Sequence, residues 1–327
     1  APQSLVCRDA TDGRELGLLD LNLMTHRYGA PYLTIHRADL HAVLLQAVQA
    51  QNVHAHLNRG VSQVQMDRHT LEVRDAQGQS VQPQILVGAD GLWSQVRAQV
   101  WKDGDPTPKG HWAYRSLLPM NMLPKRWRDP VVQVWLAPGL HAVHYPVRSG
   151  HWMNLVLLVE SPQAMTQRGW DVQRSGSSIG SDVQQAMRGL SPELHELMRH
   201  TEQWRAWSLC DRVPLRGPDQ MARERVALLG DAAHPMLPYL AQGAAMAIED
   251  AAVLAQCLAQ TQEPVQALQT YAQQRWRRNA QVQQRARRNG EVFHASGLMA
   301  KARNAALRWA APHLMDQPWL YAERTQA

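Results

Sequence analysis

The sequence predicts an α/β protein with a second, α+β lobe and a helical C-terminus, and three stretches carry that prediction. Val226-Ala227-Leu228-Leu229 is a short, unbroken apolar run, the mark of a strand buried on both faces of a parallel sheet. It stops at Gly230-Asp231, crosses a loop containing Pro235 and Pro238, and meets an Ala-rich helix opened by Gln242-Gly243. Ile85-Leu86-Val87 repeats the arrangement: it ends at Gly88, ahead of Asp90 and a helix holding Trp93, Val96 and Arg97. Between these two units, from about Gly104 to Pro214, apolar runs over 131–136, 141–146 and 152–159 are separated by Pro-Gly or Ser-Gly turns. They read as strands of an antiparallel or mixed sheet suited to covering a pocket.

With 327 residues the chain can bury a large core and is expected to form two lobes. A formal charge of +6 suits anionic small ligands and is too modest to argue for nucleic acid. Cys7, Cys210 and Cys257 are scattered with no CxxC pair, so neither a disulfide framework nor a metal site is expected. No signal peptide and no membrane-length apolar run is visible, and the expectation is a soluble, cytoplasmic protein.

Taken in order, residues 4 to 20 read as a β-hairpin about Asp12-Gly13. Tyr32 to Leu40 runs from a short strand into a helix, Ala38 to Ala50, with Leu40, Val43, Leu44, Ala47 and Val48 as its buried stripe. Arg37 at its entry reads, on spacing alone, as a surface charge or a cap partner. Residues 53 to 87 read as a β-meander with a turn at 75–78. Asp90 stands where a helix N-cap would, and capping alone explains it. Arg97, one turn beyond Ser94, is placed for a phosphate. Residues 168 to 182 are Gly- and Ser-rich and read as a loop, and 183 to 199 as helix interrupted at Ser191-Pro192. Asp231 either accepts hydrogen bonds from sugar hydroxyls or caps a turn. In the helix after Gly243, Ala244, Ile248, Ala251, Ala252 and Ala255 recur at helical spacing. The Arg-dense helix at 264–290 reads as a solvated face rather than a nucleic-acid surface, and leaves a homodimer open. His141 and Tyr145 lie four apart on one strand and share a face, with His144 on the other. Residue spacing alone favours plain packing for both.

A family resemblance sharpens these readings. The stretch GDAAHPMLPYLAQGAAMAIEDA from Gly230 resembles the second flavin motif of class A FAD-dependent aromatic hydroxylases, which have the p-hydroxybenzoate hydroxylase fold. It looks most like the salicylate and 3-hydroxybenzoate hydroxylase branch. Asp90-Gly91-x-x-Ser94-x-x-Arg97 resembles that family's middle motif, and HRADL at 36–40 and HAVHYP at 141–146 match further segments. The segment through Trp309, Pro312 and Trp319-Leu320-Tyr321 resembles the branch's helical C-terminus.

The resemblance implies a doubly wound FAD-binding sheet built from 1–103 and 215–270, a substrate domain at 104–214 and a helical segment at 271–327. Residues 1–20 are open to membership of the substrate sheet. Asp231 is implied to bind the ribityl chain, with Gly230 and Pro235 in the same cofactor-binding turn. The Gly243 and Ala244 amides are implied at the O2/N1 edge of the flavin ring, where a helix N-terminus stabilises negative charge. Arg37 is implied to reach the flavin. Asp90, Gly91, Ser94 and Arg97 are assigned to pyrophosphate and NAD(P)H, and Pro238 to the reacting face. The implied reaction uses NADH or NADPH and O2, through a flavin C4a-hydroperoxide attacked by a phenolate ring. His141 is the expected base or hydroxyl-orienting group, aided by Tyr145 and Gln242.

One departure from the family is visible. No Gly-x-Gly-x-x-Gly follows a strand and opens a helix, although the family carries that fingerprint ahead of the stretch that APQSLVCRDATDGRELGLLDL resembles. The expectation is therefore a sheet lacking its first βαβ unit, with strand edges left unpaired. Alternatives are an inactive or partner-dependent fragment and a related quinone-pathway hydroxylase. A halogenase is disfavoured, because no Trp-x-Trp-x-Ile-Pro is present.

Overall fold

The computed structural model describes residues 1–67, 69–165, 172–175 and 181–322. In chain order it begins with the hairpin β1 (Ser4–Asp9) and β2 (Glu15–Asp20), then α1 (Leu21–Tyr28) and α2 (Arg37–Gln49). There follow β3 (Val61–Met66), β4 (Leu71–Asp75), β5 (Ser80–Val81), β6 (Leu86–Gly88) and α3 (Gln95–Val100). The long strands β7 (Thr107–Pro119), β8 (Val131–Ala137), β9 (Leu140–Val147) and β10 (Trp152–Glu160) come next. After these lie β11 (Val172–Ser175), α4 (Ser181–Met187), α5 (Pro192–Arg199) and β12 (Gln203–Asp211). The chain closes with β13 (Ala222–Arg223), β14 (Val226–Leu228), α6 (Gly243–Gln260), α7 (Pro264–Phe293), α8 (Gly297–Met315) and α9 (Pro318–Tyr321).

The chain divides into two compact units. One comprises Ala1–Val53, Pro108–Leu209 and Glu291–Glu323. It is built on an eight-stranded mixed sheet in the order β11-β12-β7-β10-β9-β8-β1-β2. Residues 1–20 belong to this sheet because β1 runs parallel to β8, Ser4 opposite Val131. One face carries a core of Trp112, Tyr114, Leu140, Ala142, Met153, Leu155, Leu157 and Trp204, over which Leu194 and Leu197 of α5 pack. His144 lies on that face, its ring edge-on to Trp127. The other face buries Cys7, Leu16, Val134 and Leu136 beside Leu307 of α8 and Phe293.

The second unit comprises His54–Thr107 and Cys210–Gly290. It holds a three-stranded sheet, β13-β14-β6, in which β14 and β6 are parallel, and the expected meander β3-β4-β5. Leu71, Val73, Val96, Leu228, Leu254, Leu268 and Tyr271 form its core.

Several expectations are corrected. No strand forms over 32–36, and the stripe Leu40, Val43, Leu44, Ala47, Val48 is not buried: α2 has no buried residue and Val43 is 61% exposed. On α6 the buried face is Met246, Asp250, Val253, Leu254 and Cys257, while Ala244, Ile248, Ala251, Ala252 and Ala255 face away. The expected loop at 168–182 contains β11, which pairs antiparallel with β12, and its remaining residues before Ser181 lie outside those described. The Arg-rich α7 is not simply a solvated face. Arg275 and Arg278 are buried against Asp250 and Glu249, and Arg287 grips Asp211, because carboxylates on α6 and β12 lie opposite the stripe. Arg277 and Arg288 of the same helix are exposed.

Candidate active site

In the second unit the two motif loops leave the carboxyl ends of adjacent parallel strands, with Gly88 opposite Leu228 and the Leu229 amide donating to the Gly88 carbonyl at 2.9 Å. That end of a parallel sheet is where ligands of such folds bind. Gly230 takes a left-handed backbone (φ 59°), and a Cβ there would sit 3.1 Å from the Ala247 Cβ. A side chain there would be strained by the backbone and crowded by Ala247, and glycine meets neither cost.

The turn is clamped from behind. Asp250, fully buried on α6, accepts from the Gly230 amide at 3.2 Å, from Arg275 Nε at 2.8 Å and from Asn279 Nδ2 at 3.0 Å, and lies 2.5 Å from His234 Nε2. Burial pushes its carboxyl up, but the hydrogen bond from His234, with Asn279 and Arg275 behind it, outweighs burial and holds it at about 2. Sequence reasoning gave no role to His234, which lay within the quoted motif, or to Asn279, and counted Arg275 in a helix read as solvated. Asp250 lay within the quoted motif, but nothing in its spacing distinguished it from a surface acid.

The loop onward is also pinned. Gln283 Nε2 donates to the Pro235 carbonyl at 3.0 Å, and Asn289 Nδ2 to the Tyr239 carbonyl at 3.1 Å. A Cβ on Gly290 would meet the Tyr239 ring at 2.8 Å, so glycine is needed for that approach. Pro235 is buried, while Pro238, Ala241 and Ala244 are exposed, and Asp231, Gln242 and Gly243 are half-buried. Ala241 adopts a left-handed φ of 53°, unusual for a residue with a Cβ. Gln242 caps α6 without a side-chain hydrogen bond, so the first-turn amides of this 18-residue helix stay available to a ligand. Asp231 lies at this helix entry, its Oδ1 3.8 Å from where a Gly243 Cβ would project.

The middle motif is built differently from the expectation for two of its residues. Helix α3 starts at Gln95 with Ser94 as its N-cap, and Ser94 Oγ accepts from the Arg97 amide at 2.9 Å. Asp90 accepts from Ser94 Oγ and from the Gln95 and Val96 amides, so its carboxylate completes the cap. Arg97 is 3% exposed and engaged within the protein. Its guanidinium grips Asp103 and donates to the Ala232 and Ala233 carbonyls at 3.0 and 2.6 Å. It therefore braces the turn that presents Asp231. Gly91 is left-handed (φ 77°) with open space around its missing Cβ, which leaves its backbone approachable.

In the first unit, Arg37 is exposed at the entry of α2. His141 and Tyr145 share a face of β9, and strand register adds residues from neighbouring strands to it. Asn154 of β10 stands directly opposite Tyr145, and Arg115 of β7 donates through Nε to Asn154 Oδ1 at 2.7 Å. Asn154 is 1% exposed, and its Nδ2 has no hydrogen-bond partner among the described residues. A buried amide donor in that state is costly unless a ligand takes it. Burial raises the Tyr145 hydroxyl, partly opposed by the charges of Arg115 and Arg37. His141 is 2% exposed, with Nδ1 2.7 Å from His294 Nε2. Burial, then the charges of His294 and His111, hold it well below the ordinary imidazole range, so it is neutral near pH 7. Arg115, Asn154 and His294 were not found from sequence. Alternation along 107–119 would have put Arg115 on a face, but not which face.

No helix among the described residues is long and apolar enough to cross a membrane. Comparison with known proteins returns a match to a family model described as an FAD binding domain, over residues 15–286. A 3-hydroxybenzoate 6-hydroxylase of Aquipseudomonas alcaligenes is 36% identical over 326 residues, covering 98% of this chain and 80% of that relative. A 3-amino-4-hydroxybenzoate 2-monooxygenase of Streptomyces cremeus is 36% identical over 268 residues, 82% of this chain and 64% of the relative. Among solved structures, a salicylate hydroxylase substrate complex aligns with TM-score 0.80 at 23% identity, over 98% of this chain and 79% of that one. Klebsiella pneumoniae HpxO complexed with FAD and uric acid aligns with TM-score 0.81 at 23% identity, over 94% and 76%.

Proposed function

The chain belongs to the FAD-dependent aromatic hydroxylases, and from that premise we propose that it hydroxylates a hydroxybenzoate-type phenolic acid whose ring lies on the Tyr145 face of β9. It is a flavoprotein monooxygenase of aromatic acids, with FAD as cofactor and NAD(P)H as cosubstrate. The residues present fit FAD: a pinned turn with a left-handed, closely packed glycine, a half-buried carboxylate at Asp231 and a helix N-terminus at Gly243 and Ala244 without a side-chain cap from Gln242. When bound, FAD supplies the reductive activation of O2 from which one oxygen atom passes to the ring.

In this reading Asp231 accepts hydrogen bonds from the ribityl hydroxyls, and the amides of Gly243 and Ala244 meet the polar edge of the flavin ring. Gly230 and Gly91 let backbone approach the cofactor, and Pro235 fixes the loop that carries Pro238 and Gln242, the proposed ring contacts of that unit. Asp90, Ser94 and Arg97 hold the turn in shape, and Arg37 remains a proposed flavin contact.

The observation that carries the substrate class is the trio Arg115, Asn154 and Tyr145. A guanidinium, an unsatisfied buried amide donor and a phenol on one sheet face suit a carboxylate. His141 on the same face orients the substrate hydroxyl and takes its proton, which makes the ring carbon nucleophilic. The neutral state that burial imposes on His141 leaves a lone pair for that proton.

The test compares hydroxybenzoates with the corresponding phenols lacking a carboxylate. With Arg115→Ala, KM for the acid should rise about 10- to 100-fold, the loss of a charge-assisted contact, while the phenol's KM stays put. Equal effects on both would remove the carboxylate role.

A further inference from the structure

We propose that His111, Glu160 and His294 form a binding site for a divalent transition-metal ion of the zinc class, and that its occupancy inhibits hydroxylation through His141. His111 on β7 and Glu160 on β10 are cross-strand partners in register, so their side chains stand on one face of the large sheet. His294, just past α7, closes the group. Its Nδ1 lies 3.2 Å from Glu160 Oε1, and His111 Nε2 lies 3.7 Å from the same oxygen. One ligand atom from each residue lies within 4.8 Å of the other two.

Around an ion with bonds of about 2.0–2.2 Å, such atoms stand roughly 3.3–3.6 Å apart in a tetrahedral arrangement. Glu160 Oε1 already stands near that spacing from both imidazoles, and its side chain, 52% exposed, has room to follow an ion. Two imidazoles and a carboxylate, with a further position open to water, make a donor set for zinc rather than for calcium or magnesium.

The backbone holds the three ligands in place before any ion arrives. The Gly139 amide donates to the His294 carbonyl at 3.1 Å, and the Glu160 amide donates to the Gly139 carbonyl at 2.8 Å. Gly139 makes both bonds from a left-handed turn (φ 65°) between β8 and β9. Each residue offers one donor atom, an imidazole nitrogen or a carboxylate oxygen, to a shared point. Among the described residues no other such group of three is found.

The link to the substrate face is the 2.7 Å contact between His294 Nε2 and His141 Nδ1. With Nδ1–H of a neutral His294 donated to Glu160, its Nε2 is the acceptor for Nδ1–H of His141, and His141 Nε2 keeps a lone pair. A metal on His294 Nδ1 moves that proton to Nε2, which then donates to His141 Nδ1. His141 must now carry its hydrogen on Nε2 and is a donor, unable to take the phenol's proton. The binding half of the proposal stands independently; the inhibition half rests on the reading of His141 as the group that takes that proton.

The test titrates the purified chain with Zn2+ alone, followed by calorimetry, and then measures hydroxylation by the FAD-loaded enzyme over the same zinc range. One ion per chain is expected. His111→Ala, and Glu160→Gln at a half-exposed position where the fold is not at stake, should each weaken binding at least roughly tenfold. Zinc should inhibit the parent enzyme, and His111→Ala should resist it. Absence of saturable binding, or binding indifferent to both variants, overturns the site; binding without inhibition overturns the coupling. His141→Ala, which retains all three ligands, separates the failures. If it hydroxylates at the parent rate, the reading of His141 fails even though zinc still binds.

Discussion

Removing the imidazole of His141 and removing the carboxylate of Asp231 should break different parts of the enzyme. His141→Ala should slow hydroxylation by about 10²–10⁴-fold, retain flavin, and divert NAD(P)H oxidation to hydrogen peroxide. Asp231→Ala loses a charged acceptor for sugar hydroxyls and should weaken FAD about tenfold to a hundredfold, read as flavin retained after gel filtration. Unchanged flavin content in that variant would count against the cofactor assignment. His144 behaves as a third kind of residue. Burial between Trp127 and Trp135, with the charge of Arg8 behind it, depresses it from 6.5 to about 3. The unfolded chain therefore binds a proton that the fold refuses, so stability is full above 6.5 and falls as pH drops toward about 3. His144→Phe should flatten that decline in acid-denaturation curves; an unaltered curve would show that another group sets it. The sequence placed His141 and His144 on opposite faces by alternation alone, and the structure agrees. It could not show Asn154 or Arg115 beside Tyr145, because strand register joins residues with no local signal.

At the scale of elements, runs and periods were legible, while the buried phase of a helix was not. The apolar runs that became β14 and β6 announced buried parallel strands, and the Pro-Gly and Ser-Gly turns announced β8 to β10. An Ala-rich helix such as α6 offers small residues on every face. Its phase is set instead by Asp250, a charge that periodicity puts outside and that His234, Arg275 and Asn279 hold inside. The apolar side of α2 likewise faces outward. Stability measurements on this chain discriminate the two cases. Asp250→Ala removes the buried acceptor shared by His234, Arg275 and Asn279, leaving Arg275 with Glu249 as its carboxylate partner, and should cost about 3–5 kcal/mol. Val43→Gln on α2 should stay within about 0.5 kcal/mol, whereas a loss of about 2 kcal/mol or more would mean that the stripe is buried after all. Arg97 shows the same limit: its spacing suits a phosphate, but Asp103 and the Ala232 and Ala233 carbonyls, the latter far away in sequence, claim it.

For the molecule as a whole, the fold class and chemistry were legible because the Gly230 stretch is long and each constraint in it is physical. Gly230 is left-handed and packed close to Ala247, Asp231 stands at a helix entry, and Gly243 opens a helix whose N-cap makes no side-chain bond. The pairing of β1 with β8, across more than a hundred residues, was beyond any local pattern. The central claim is that this chain, loaded with FAD, places one atom of O2 on the ring of a phenolic acid. The direct measurement supplies NADH or NADPH, 3-hydroxybenzoate and isotopically labelled O2, and follows the product by mass spectrometry. The account predicts substrate-stimulated NAD(P)H oxidation and a dihydroxybenzoate carrying one labelled oxygen, with related hydroxybenzoates assayed in parallel. It is contradicted if no phenolic acid in that panel stimulates NAD(P)H oxidation, or if the new hydroxyl carries oxygen from water.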